Sequence, residues 1–130
     1  MFRAILATVF SFVILDTLWI QCVAISWYQA LLPHLLRMHH GAVQANVPSA
    51  ILFYMIVLPS LIWLVVRPEQ KTSCAFVNGA VAGLMSYATY SFTCMALFKG
   101  WTWSLAITDT LWGVVLCAVS CAIGVYVKQR

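Results

Sequence analysis

Four apolar runs set the limits on what this chain can fold into. They cover about residues 3–27, 47–66, 74–98 and 103–127, and the second and third contain no Asp, Glu, Lys or Arg. Each is long enough for a helix that crosses the hydrocarbon core of a bilayer, which takes about 20 apolar residues. Only 8% of the 130 residues are charged, against about 25% in a soluble domain. A water-soluble fold of this length has too little interior to hide so much apolar surface. The natural solvent is lipid. The predicted fold is all-α: one polytopic domain over residues 1–130 with four transmembrane helices.

Polar punctuation separates the runs. Arg67-Pro68-Glu69-Gln70-Lys71 divides the second from the third, and Lys99-Gly100-Trp101 divides the third from the fourth. The first gap, residues 28–46, is longer. In it Leu31, Leu32, Leu35 and Leu36 share a helical face while His34, Arg37 and His40 fall off it. Gly41 follows as a stop, so a short interfacial helix is predicted between the first and second spans. His34, His39 and His40 have no acid or cysteine nearby to complete a metal site. They read as surface histidines, and no metal or cofactor is expected. Asn46 is a candidate cap with Pro48 in the first turn, and Pro59 should kink the second span. The first span begins with Arg3, and Cys22-Val23-Ala24 loosely resembles a cleavage site. Its length and the acid at its middle favour a retained span over a signal peptide.

The net charge of +4 matters less than its placement. There is no basic run of the kind that binds nucleic acid. With four spans both termini share a side, and that side collects Arg3, Arg67, Lys71, Lys128 and Arg130. The other side holds Arg37 and Lys99. The positive-inside rule places both termini in the cytoplasm. Trp27, Tyr28, Trp101 and Trp103 then gather at the outer interface, where amphipathic rings favour the headgroup level.

Small residues mark where helices should meet, because lipid tails are as apolar as leucine and association depends on close packing. The third span offers Ala75, Gly79, Gly83 and then Tyr87; the fourth offers Asp109, Gly113, Cys117 and Cys121, with Ser120 and Gly124 beside them. Gly79, Gly83, Gly113 and Cys117 are the expected packing positions. Plain packing within the chain explains both stripes, and a homo-oligomer face is the alternative. None of the five cysteines forms a C-x-x-C pair, so Cys117 and Cys121 read as small packing residues.

Against this background two acids stand out. The tetrapeptide Asp16-Thr17-Leu18-Trp19 recurs as Asp109-Thr110-Leu111-Trp112, and these aspartates are two of only three acidic residues. Both fall inside spans. An ionised acid at the bilayer centre costs about 2.5–3.5 kcal/mol on insertion scales. Each must be neutral, paired or open to water. No Lys or Arg lies at matching depth, so the acids are expected to form a proton-sharing pair between the first and fourth helices. Each tryptophan follows its aspartate by three residues and shares its face. Antiparallel neighbours would set the indole N–H of Trp19 and of Trp112 near the opposite carboxyl, and Tyr87 and Tyr90 would add hydroxyls.

The run from Tyr87-Ala88-Thr89-Tyr90 through Thr93, Ala96-Leu97 and Lys99-Gly100-Trp101 to Asp109 and Trp112-Gly113 resembles domain-of-unknown-function family 2177. So does the first span, in Leu15 to Trp19, Trp27-Tyr28 and Leu31-Leu32. The resemblance covers nearly the whole chain and implies a small integral protein of the bacterial inner membrane. It implies a fold and a compartment, not an activity. Ser91 and Cys94 stand where that family usually has an aspartate and an asparagine, which weakens any polar cluster there.

Two functional readings follow. In one, the two-aspartate site binds or carries a proton, ion or small polar group. In the other, the aspartates are a structural clasp in an accessory or scaffold subunit of a membrane enzyme. An enzyme is the weakest reading, since no histidine lies in a span and no nucleophile–base constellation can be assembled. The partners expected are the lipid bilayer and either further copies or another membrane protein. The topology has a direct test. Reporter fusions after Arg130 should signal a cytoplasmic C-terminus, and insertions within residues 38–44 should signal the outside; a periplasmic signal from the C-terminal fusion would reverse the orientation.

Overall fold

The computed structural model describes residues 1–67 and 71–130. Pro68, Glu69 and Gln70 of the predicted linker lie outside the described residues. The first span is one long rod: α1 (Phe2–Trp19), a π-helical turn (Ile20–Ala24) and α2 (Ile25–Leu31) follow without a break. A two-residue-stranded hairpin comes next, β1 (Met38–His39) pairing antiparallel with β2 (Ala42–Val43). Then come α3 (Val47–Leu64), α4 (Thr72–Leu97) and α5 (Trp103–Gln129). All four long rods have the length and apolar composition to cross a bilayer. Their outer faces carry large exposed side chains such as Phe10, Met55, Trp63 and Leu97, the pattern expected where lipid replaces water.

The predicted interfacial helix is not found. Residues 32–37 form turns, and the hairpin occupies the rest of the gap. Pro33 accounts for the difference. It disfavours helical backbone at the residue before it, and Leu32 sits at φ −136°, ψ 45°. Leu32 is nevertheless buried, at 1% exposure, so part of the leucine face packs without a helix. Gly41 serves the hairpin rather than a helix end. His40 and Gly41 both have positive φ, 49° and 82°, as the two central residues of a type I′ turn require. Asn46 does cap α3: its Oδ1 accepts from the Ser49 N–H at 3.1 Å, with proline in the first turn.

The centre of the bundle is α5. It packs mainly against α4, then α1, while α3 touches α1 and α5 only sparsely. Small residues make the main interface. A Cβ on Gly79 would stand 2.6 Å from the Cys117 carbonyl oxygen, and one on Gly83 would collide with the Gly113 carbonyl. Gly113 in turn lies under the Tyr87 ring. The pairing of 79 with 117 and 83 with 113 makes α4 and α5 antiparallel, their backbones brought close by the absence of side chains. On α1 the buried residues are Ala4, Thr8, Phe12 and Asp16, a four-residue rhythm that is one helical face. Thr8 fills the notch at Gly124 and donates its hydroxyl back to the Ala4 carbonyl at 2.9 Å.

Both termini lie at one end, where Arg3, Tyr126 and Arg130 line one cleft and Thr72 hydrogen-bonds Gln129 at 3.1 Å. The hairpin lies at the other. Substitution separates the packing stripe from the lipid face. Gly83→Leu should lower the melting temperature in detergent by an amount corresponding to about 1–3 kcal/mol of overpacking. Val81→Leu, at a position 51% exposed, should leave it unchanged. Equal melting of the two would mean that α4 presents another face.

Candidate functional site

Asp16 and Asp109 are both buried, at 5% and 8% exposure. The antiparallel register of α1 and α5 is fixed by Thr8 against Gly124 and by Trp19 against Trp112. On that register Asp16 faces the level of Leu116. It therefore lies about 10 Å further from the hairpin end than Asp109 does, nearly two helical turns. That offset is at odds with the directly paired acids expected from the sequence, and no hydrogen bond joins the two carboxyls among the described residues.

Each acid is instead met by a tyrosine from a different rod. Tyr54 of α3 donates its hydroxyl to Asp16 Oδ2 at 2.8 Å. Tyr28 of α2 donates its hydroxyl to Asp109 Oδ2. The π turn makes the second contact possible. Twelve residues of unbroken α-helix would rotate Tyr28 about 120° from the face of Asp16. A wider π turn between them takes back part of that rotation and returns the phenol to the interior.

The tryptophans meet each other. Their rings stack at 4.5 Å and 6°, because the register sets Trp19 directly across from Trp112. The Trp112 indole neighbours Asp16, yet its Nε1–H is buried without a hydrogen-bond partner. Of the two expected indole–carboxyl neighbours, Trp112 stands at Asp16, while the Trp19 ring is stacked on Trp112. Tyr87 packs over Gly113, and its hydroxyl makes no hydrogen bond among the described residues. Tyr90 is half exposed and stands edge-on to Trp101 at 5.9 Å, as Tyr28 does at 6.0 Å. Trp101 covers these two phenols at the hairpin end.

One partly open cavity of about 250 Å³ joins these groups. Asp16, Trp19, Tyr87, Tyr90, Asp109 and Trp112 all line it, together with Tyr28, Tyr54 and Phe53. Tyr54 was not among the sequence-derived candidates, and Tyr28 entered only as an interfacial ring. Tyr54 had one available signal: it is the single tyrosine in a span with no charged residue. Ser91 continues the α5-facing stripe of α4, with its hydroxyl buried and unpartnered. It makes no bond to either acid.

The fold and this interior define a polytopic helical membrane protein with a polar, aromatic-walled cavity between its spans. The chain belongs to domain-of-unknown-function family 2177, described as a predicted membrane protein, whose profile matches residues 1–126. No curated protein and no solved structure matches it.

The hydrogen-bond pattern sets an energetic expectation. Double-mutant cycles pairing Asp16→Asn with Tyr54→Phe, and Asp109→Asn with Tyr28→Phe, should each show coupling of about 0.6–1.7 kcal/mol, the range of interhelical hydrogen bonds in membranes. Asp16→Asn with Asp109→Asn should add to within about 0.5 kcal/mol. Equilibrium unfolding in detergent gives all three, and a strong Asp16–Asp109 coupling would restore the directly paired arrangement.

Proposed function

We propose that the chain is a binding unit of the bacterial inner membrane, with both termini in the cytoplasm. In this reading its two intramembrane aspartates take up a proton, an ion or a small polar group. The observation that carries the reading is that both carboxyls line one partly open cavity although they are nearly two turns apart. A clasp has no need of shared space between its halves.

The chemistry follows from the donors. Tyr28 and Tyr54 each donate to Oδ2 of one acid, and the Trp112 indole stands beside Asp16. An acid inside a membrane faces a cost that one neutral hydroxyl does not cancel. The cavity that both acids line leaves room for the remaining partner: a proton, a water or the donor group of a ligand. The phenols hold the carboxyls in place in either protonation state, because an O–H donates to a carboxylate and to the carbonyl oxygen of a neutral acid alike. Orientation rests on the Lys and Arg asymmetry, which would place the hairpin and Trp101 on the outer side.

The clasp remains as a second reading because Tyr54 is the polar link to α3, a helix with few other contacts. Infrared spectroscopy on the protein in lipid nanodiscs separates the two. A hydrated binding site should show carboxyl bands that shift promptly in deuterium oxide and change with pH, each reduced by Asp16→Asn or Asp109→Asn. Carboxyl bands that neither exchange nor respond to pH would establish the clasp and overturn the binding unit.

A further inference from the structure

The walls of the cavity narrow the class of ligand. We propose that the site takes a small primary alkylammonium cation, an inference that rests on the hydrated binding site proposed above. No Lys or Arg lines the cavity, so an anion would find no counter-charge. A hard metal cation would ask for about six oxygen ligands, whereas the cavity offers two carboxyl groups set nearly two turns apart. Most of the remaining wall is aromatic: Trp19, Trp112, Tyr54, Tyr87 and Tyr90. Aromatic faces attract organic cations, most strongly where water is scarce.

The primary amine is favoured over a quaternary one by the acids. Asp109 accepts from Tyr28 and keeps capacity for another donor, and an ammonium group supplies N–H donors that a quaternary nitrogen does not. One charged carboxylate balances the cation, and the other acid, nearly two turns away, stays neutral. Size agrees: about 250 Å³ is below the roughly 300–1,000 Å³ of pockets for drug-sized ligands. The occupant is then a small amine or the amino headgroup of a lipid, which share this chemistry.

Equilibrium dialysis of radiolabelled butylammonium against the full chain in phosphatidylglycerol nanodiscs tests the proposal, with empty nanodiscs as the blank. Saturable binding is expected, with butan-1-ol competing at least tenfold more weakly than unlabelled butylammonium. Asp109→Asn should weaken binding about tenfold, as loss of a charged acceptor implies. Tyr90→Leu, at a half-exposed wall position that folding can spare, should weaken it about threefold to tenfold. Adding phosphatidylethanolamine identifies the source: competition points to a lipid amine, and unchanged affinity points to a free one. Absent binding, equal competition by butan-1-ol, or full affinity in both variants would overturn the amine proposal. If the carboxyl bands still exchange in deuterium oxide, the hydrated site survives that result; if they do not, the binding reading falls with it.

Discussion

Hydrocarbon offers no hydrogen bonds, so a polar group in this bundle finds a partner only in the chain or in what its cavity holds. Asp16 and Asp109 are the most demanding of these groups. A single interhelical hydrogen bond in a membrane averages about 0.6 kcal/mol, while a central charged acid costs about 2.5–3.5 kcal/mol. One tyrosine per carboxyl therefore does not balance an ionised aspartate. The remainder has to come from neutrality or from whatever occupies the space beside the acids. The cavity and the acids are thus two consequences of one constraint.

The same constraint explains the path of the first span. A regular helix would turn Tyr28 toward lipid, where its hydroxyl would find no partner. The π turn at Ile20–Ala24 keeps the backbone bonded while changing the face presented beyond it. The acid on α5 gains its donor without a break in the rod. The hairpin end is then closed by rings rather than by a helix, with Trp101 resting on Tyr28 and Tyr90.

Much of this was legible in the residues. The four spans, the Asn46 cap and the small-residue stripe from Gly79 to Gly83 are local or periodic signals, and periodicity survives folding. Burial of Asp109 followed from its place at the head of the stripe of Gly113 and Cys117. The interfacial helix failed because the leucine spacing was weighed without Pro33, a single residue whose backbone effect overrides periodicity. Tyr54 and Tyr28 were hidden for another reason. Which hydroxyl reaches which carboxyl depends on the axial register of three rods and on a π turn, and neither is written in any one segment. The indole–carboxyl expectation assumed acids at nearly equal depth. A register that sets Trp19 opposite Trp112 removes that premise and stacks the rings instead.

Packing and site are not separable in this bundle, and Gly113 shows why. It lies one turn beyond Asp109 on α5, between the levels of the two acids. Its missing side chain admits both the α4 backbone at Gly83 and the Tyr87 ring. Any Cβ there would collide with that ring, pushing Tyr87 out along α4 and opening the interface that positions Asp109. The ring in turn fills the stretch of interior that separates the carboxyls. Without it the cavity between them would be wider and less aromatic. A stripe that reads as a helix–helix contact therefore also sets the width of the space that both acids line.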